Sequence, residues 1–266
     1  MPVTDDDPSK HPNSARIYDY MLGGSNNFAA DREAARTIVA GQPDMPLISQ
    51  ANRAFLRRVV RFFADQGIEQ YLDLGSGIPT VGSVHQVAQA VGREPRVVYV
   101  DIDPITVAHG QLLLRDQPNA IAIRGDMRHP LDVLAQEELR ATLQLDQPVA
   151  VLMLASLHFV LDEEAALAIV ACLREVMAPG SYLAISHASY DHLPEDRRRD
   201  MEALAHTAHI PLSVRSRDEI LRFFDGLELV EPGVVHLPLW RPESSEDIFM
   251  DDPPRSAVYG GVGLRR

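Results

Sequence analysis

The segment that most constrains this chain is LDLGSGIPT, residues 72–80. A short apolar run ends in Gly-Ser-Gly and the chain then heads into helical sequence, the strand–turn–helix of nucleotide-binding folds. Glycine permits the sharp turn and lets a ligand lie against bare backbone. The third glycine of GxGxxG is missing, with Thr80 in its place, so the turn alone names no ligand. Its surroundings say more. RVVYVDID (96–103), AIAIRGDM (120–127), PVAVLMLASL (148–157) and SYLAIS (181–186) are further strand-length apolar runs. Helical stretches over about 81–91, 104–115 and 162–177 separate most of them. Continuously apolar strands are covered on both faces, and strands alternating with helices predict an α/β protein with a doubly wound, mostly parallel sheet.

Acids stand at the C-terminal tips of these runs. Asp101 follows Gly77 by 24 residues, where a carboxylate can accept both ribose hydroxyls. It could instead cap the next helix, but Asp103-Pro104 already reads as cap and first turn. Asp126 closes the third strand. Glycines, Asp101 and Asp126 would share the sheet edge where open α/β folds bind ligands. The turn also begins with Asp73 and is interrupted by Pro79, which suits a cationic ligand better than a diphosphate. S-adenosylmethionine, with its sulfonium, ammonium, ribose and adenine, meets these demands. A nicotinamide-dependent oxidoreductase is disfavoured by Thr80 and by the lack of a Tyr-x-x-x-Lys pair.

Before the sheet, residues 1–13 read as disordered and 14–66 as a helical cap or lid, leaving 67–266 as the Rossmann-like domain. Helices are expected over Ser14 to Leu22, Asp31 to Ala40 and Ile48 to Gln66, the last stopped by Gly67. Between the first two lies YDYMLGGSNNFAAD (18–31), whose paired glycines are costly to order. It is either an ordinary turn or a lid backbone that approaches the ligand. As a lid, Gly24 passes close to the cofactor, Tyr20 offers a ring and hydroxyl, and Arg16 pairs with the methionine carboxylate. Arg53, Arg57 and Arg61, spaced by four, read as a solvated stripe or, with Arg58, a local basic patch. Later, 191–209 suggests an inserted helix, SRDE (216–219) a capping box, 227–240 and 256–266 strands, and 241–254 a mobile acidic loop.

A formal charge of −13 argues against bulk affinity for nucleic acid or anionic membrane. The one cysteine, Cys172, falls in an apolar helical run and reads as core filler. No signal peptide, membrane-length apolar run or metal-ligand spacing appears, so a cytoplasmic protein without a metal is expected.

LDLGSG, VYVDIDP, RGDM and MAPGSYLAIS resemble the successive motifs of class I S-adenosylmethionine-dependent methyltransferases. More narrowly, ARIYDYMLGGSNNFAADREAA, NRAFLRR, LDLGSGIPT and PGVVHLPLWRP resemble an actinobacterial methyltransferase-like family long described as a domain of unknown function. The resemblance implies that family's strand order, with an antiparallel C-terminal hairpin. It implies that Asp73, Gly75, Ser76 and Gly77 bound the methionine part of the cofactor, Asp101 holds the ribose and Ile102 lies beside the adenine. Asp126 and Met127 would contact the adenine edge and face, and Ala155 and Ser156 would line the floor near the methyl. The Asn-Pro-Pro-Tyr type motif of nucleobase and glutamine methyltransferases is replaced by ASLHF (155–159). That points to a small-molecule acceptor and removes the motif that would name it. His158 is either a general base for a hydroxyl acceptor or a packed junction residue. The expected activity is direct methyl displacement, which needs alignment and exclusion of water. The alternative is a non-catalytic protein that binds S-adenosylmethionine or its demethylated product.

Overall fold

The computed structural model describes residues 7–80, 82–208 and 210–266. The expected disorder over 1–6, the helix start at Val81 and the end of the inserted segment at His209 lie outside these residues. Helices α1 (Ser14–Met21), α2 (Ala29–Gly41) and α3 (Met45–Asp65) lead into β1 (Gln70–Leu74). Then follow α4 (Val84–Ala90), β2 (Arg96–Asp101), α5 (Pro104–Leu113), β3 (Ala120–Arg124), α6 (Pro130–Leu134) and α7 (Glu137–Thr142). The chain continues through β4 (Ala150–Leu154), α8 (Glu163–Val176), β5 (Tyr182–Ala188), α9 (Glu195–Thr207) and α10 (Arg217–Arg222). It closes with β6 (Glu228–Leu229), β7 (Val235–His236) and β8 (Val258–Leu264).

The sheet runs β3-β2-β1-β4-β5-β8-β6, with β7 also on β8. The first five strands in this order are mutually parallel, and β8 is antiparallel to β5, β6 and β7. The order reverses at β1, between β2 and β4, so a crevice opens at that strand's C-terminal tip. The closing strands expected over 227–240 shrink to two short pieces, because prolines 232 and 238 lack the N–H a ladder needs.

Alternation along β1 divides its side chains between two cores. Tyr71, with Tyr99 of β2 and Leu152 of β4, packs under Phe55, Val59 and Phe63 of α3. Leu72 and Leu74 face the other way, toward Leu173 of α8 and Phe224. By the same alternation Asp73 projects on the α3 side, registered between Tyr99 and Leu152. Thus α3 belongs to the main core, whereas α1 and α2 share a small cluster of their own, Ile17, Met21, Ala34 and Ala35.

Two segments, one expected to be disordered and one to be a mobile loop, carry definite contacts among the described residues. Residues 7–13 include a 3-10 turn at Pro8–Lys10 and the α1 cap Asn13, whose side chain accepts from Ala15 and Arg16 amides. The backbone of Asn13 is itself held by Asp31. The 241–254 loop is pinned by buried Phe249 and by the Arg255–Asp44 fork at 2.6 and 2.7 Å. Cys172 is only partly buried, not core filler.

Candidate functional site

The GSG turn is built from its backbone. The Gly75 and Ser76 amides both donate to Val100 O, at 2.8 and 3.0 Å, bending the chain back over β2. Gly75 has φ +68°, and a Cβ there would sit 2.5 Å from Ser156 Cβ, so only glycine fits. Gly77, at φ +62°, donates its amide to Asp101 Oδ2 at 2.9 Å. Ser156 donates Oγ–H to Leu74 O at 2.9 Å and so clamps the β4 tip to the β1 tip. Beside it Ala155 is held at φ +52°, unusual for a residue with a Cβ. Ser76 bonds its own turn, Oγ to Gly77 O at 3.1 Å.

Asp101 is nearly buried and burial pushes its carboxyl up, opposed by the amides of Asp103 and Gly77. Each oxygen accepts one of these bonds, leaving lone pairs for further donors. Next to it Ile102 is 48% exposed, an apolar side chain half open to solvent at the β2 tip. Met127 reaches from β3 toward the turn, its Cε 3.8 Å from the Cβ position at Gly75. Asp126 is drawn into a fork with Arg128 at 2.6–2.9 Å, which holds its carboxyl below the usual range.

Asp73 is the most perturbed acid. Burial pushes it up to about 7, the nearby Asp101 charge adds to this, and the Arg53 guanidinium opposes it. Its carboxylate has no hydrogen-bond partner among the described residues. Arg53, expected on a solvated stripe, is partly buried, sits 5.7 Å from the Tyr18 ring centroid, and buries an unpartnered Nε. Its neighbour Asn52 anchors a directed chain of hydrogen bonds. Tyr18 donates to Ser49 O at 3.0 Å and accepts from Asn52 Nδ2 at 3.1 Å. Asn52 Oδ1 accepts from Ser186 Oγ at 2.6 Å, which accepts from the Ala155 amide at 2.9 Å. The strained β4 tip is thereby tied to α3 and α1. Asn52 had a visible signal: it is a polar residue on the stripe Ile48, Asn52, Phe55, Val59, Phe63.

The lid residues meet a different fate. Arg16 is not open for a carboxylate. Nε pairs with Asp31 and Nη1 with Asp103, each at 2.9 Å, and Nη2 donates to His11 O at 2.7 Å. Tyr20 packs against the small α1–α2 cluster, and Tyr18 is the tyrosine turned toward α3. Gly24 lies against its own turn: a Cβ there would fall 2.1 Å from Asp19 Oδ1. The buried Asp19 carboxylate accepts from the Asn26 amide at 2.8 Å and Asn27 Nδ2 at 2.9 Å, so GGSNN folds around an acid, with Gly23 at φ +80°. The paired glycines make the turn possible.

His158 is buried, its Nδ1 without a partner among the described residues, and burial with the Arg215 charge pushes it down to about 4. His187 Nδ1 donates to Ala188 O at 2.8 Å, which leaves Nε2 to accept from Arg215 at 2.7 Å. A separate cleft of about 320 Å³, lined by Arg128, His129, Leu131, Ile169 and Cys172 among others, includes none of the β1, β2 or β4 tip residues. No group of His, Cys, Asp and Glu suited to a metal occurs among the described residues.

A mostly parallel sheet with glycines, Asp101 and a half-exposed Ile102 at its switch point defines a Rossmann-like protein of the methyltransferase fold. The chain matches the S-adenosyl methyltransferase family over residues 4–266 and belongs to it. It is similar to a crystal structure from Thermobifida fusca YX, provisionally named a methyltransferase, at 36% identity, TM-score 0.90, covering 99% of this chain and 100% of that one. It is similar also to a DUF574 family protein from Streptomyces avermitilis MA-4680, at 38% identity, TM-score 0.89, covering 97% and 99%. The mitomycin 7-O-methyltransferase MmcR shares the fold, at 14% identity and TM-score 0.53 over 98% of this chain and 74% of that one. No curated protein matches.

Proposed function

We propose that the protein binds S-adenosylmethionine at the β1–β2–β4 tips and transfers its methyl group to a small-molecule acceptor in the cytoplasm. The observation that carries this is the cradle itself. Gly75 leaves backbone bare where any side chain would strike Ser156, Asp101 keeps free lone pairs beside it, and Ile102 exposes an apolar face. These three suit a sulfonium-bearing methionine chain, a ribose diol and an adenine ring in that order. When bound, the cofactor supplies an electrophilic methyl that a nucleophilic atom displaces in line. The chain's own contribution is positional. Asp101 orients the ribose, Met127 and Ile102 flank the base, and Ala155 with Ser156 forms the floor. A formal net charge of −13 supports a small-molecule partner over nucleic acid or an anionic lipid surface.

His158 is neutral at physiological pH, the form a base requires. A group pushed down to about 4, however, is a poor acceptor for a hydroxyl proton. Alignment and desolvation therefore carry the transfer, and His158 packs the β4 junction. The same burial favours a second reading, a protein that senses S-adenosylmethionine or its demethylated product without turnover.

Calorimetric titration tests the first step. S-adenosylmethionine is expected to bind the wild type, and Asp101→Ala to weaken it at least tenfold, two ribose hydrogen bonds to a charged acceptor being lost (about 1.5–3 kcal/mol). Binding of a nicotinamide dinucleotide in its place would overturn the reading. Methyl release against an acceptor panel separates enzyme from sensor.

A further inference from the structure

The β4 tip carries backbone strain, and a side chain on another element accounts for how it is held. Ala155 stands at φ +52°, a left-handed conformation that a Cβ makes costly. Such strain persists only where the surroundings over-determine it, and here both flanks are fixed. After it, Ser156 Oγ is clamped to Leu74 O at 2.9 Å. On its other side, the Ala155 amide is shared between Ser186 O at 3.1 Å and Ser186 Oγ at 2.9 Å. A serine hydroxyl rotates and can turn its hydrogen toward any neighbour. Ser186 Oγ stays an acceptor toward Ala155 because its hydrogen is drawn to Asn52 Oδ1, at 2.6 Å. Asn52 presents its oxygen there because Nδ2 donates to Tyr18 Oη at 3.1 Å, whose own hydrogen goes to Ser49 O at 3.0 Å. Reversing the amide would leave the Ser186 hydrogen without an acceptor in this chain of bonds. Asn52, Ser186 and Ser49 are all buried, so each depends on the next for its partner.

We propose that Asn52 is a positioning residue for methyl transfer: acting through Ser186, it holds Ala155 in the left-handed turn that sets the floor beneath the methyl group. Its role in transfer rests on the cofactor reading above and adds a residue that acts only through others. Displacement at a methyl carbon depends on alignment, and a misplacement of about 1 Å can cost about 100-fold in rate. Without Asn52, Ser186 is free to turn its hydrogen toward other acceptors, and Ala155 relaxes out of the left-handed region. The chain of bonds also has a far end. Tyr18 lies on α1, whose Ala15 Cβ stands 3.6 Å from the Cβ position at Gly77. The N-terminal helix therefore meets the glycine turn directly and reaches the β4 tip through Asn52. A buried asparagine that merely satisfied its neighbours would stabilise the fold whatever the conformation of Ala155, and that difference can be measured.

The test measures Asn52→Leu in two backgrounds, wild type and Ala155→Gly, because glycine adopts positive φ without being held there. In thermal melts, which need no ligand, Asn52→Leu is expected to lower Tm by about 4–8 °C in wild type and by less than half of that beside Ala155→Gly. Calorimetry then compares S-adenosylmethionine with S-adenosylhomocysteine, which differ by the methyl that the floor faces. Asn52→Leu should weaken the first by about tenfold and the second by no more than about threefold. Equal Tm losses in both backgrounds, or equal weakening of both nucleosides, would mean that Asn52 only fills and satisfies its surroundings, and would overturn the proposal with the cofactor reading intact. Should Asn52→Leu fail to fold, Ser186→Ala is put through the same comparisons. It removes the hydroxyl link and keeps the Ser186 O bond to the Ala155 amide, so a smaller loss of about 2–4 °C is expected, again reduced beside Ala155→Gly. If the wild type binds neither nucleoside, the cofactor reading falls and the role in transfer with it, whatever the melts show of the turn.

Discussion

Asp73 makes the wild-type protein pay for its ligand in advance. Its carboxyl stands near 7 in the folded state against 3.8 when solvated, chiefly through burial. A folded value above the unfolded one means that the native state holds the proton more tightly. Stability from this group therefore falls as pH rises from about 4 to about 7, and above that the penalty is complete, on the order of 4 kcal/mol. Asp73→Asn removes it. Thermal melts should show the variant more stable than wild type at pH 8, with the gap closing toward pH 4.5. A gap independent of pH would refute the assignment. Asp101 is pushed up by burial in the same sense, so the difference between variant and wild type isolates Asp73. Cofactor affinity runs the opposite way. An ammonium needs the ionised acid, so binding to wild type should strengthen with pH, by up to about tenfold per unit below 7. In Asp73→Asn that slope should flatten to what Asp101 supplies.

At the scale of elements, the GGSNN turn shows how a local motif can be read correctly as costly and wrongly as to cause. Gly24 makes room for the Asp19 carboxylate, and Gly23 supplies the positive φ that the turn needs. Gly24→Ala should lower stability by about 1–3 kcal/mol, as overpacking does. Asp19→Ala removes the obstacle and the bonds together, so the double variant should melt with Asp19→Ala alone. Additive losses would disprove the steric account. Signals confined to a few neighbouring residues were legible. The apolar runs became β1 to β5, Asp162 caps α8 by accepting from the Ala165 amide, and Ser216 with Glu219 forms its box. The short helices α6 and α7, five and six residues long, leave too little sequence for a helical period to show. Partnerships across the chain were not legible either. Arg16 finds Asp31 and Asp103 at separations of 15 and 87 residues, and no spacing rule reaches that far. Arg53 looked solvated because helical period shows which residues share a face. It does not show that Arg53 lies near enough to a buried acid for its charge to act there.

Across the whole molecule, the C-terminal segment is fastened to α3 by one buried cation. Arg58 donates Nε to Trp240 O at 2.8 Å and Nη2 to Leu237 O at 2.7 Å. Trp240, fully buried, meets Phe55 and Phe62 edge-on at 5.4 and 5.9 Å. A buried ion pair can often be exchanged for apolar side chains without loss, because both partners leave together. Here two of the partners are backbone carbonyls, which no substitution removes, and the third is Asp247, 3.8 Å from Nη1. Arg58→Met would strand both carbonyls, at about 1–3 kcal/mol each, partly repaid by the apolar thioether. A net loss of about 2–4 kcal/mol is therefore expected in urea unfolding. The cofactor site should not notice. The segment adjoins α3 through Arg58 and β5 through β8, and Ser186 of β5 is held from α3 by Asn52, whose bond does not involve Arg58. S-adenosylhomocysteine affinity is thus expected to stay within about threefold of wild type, a shift of well under 1 kcal/mol. If affinity and stability fall together, the C-terminal clasp and the cradle are one cooperative unit, and the separation argued from these bonds is wrong.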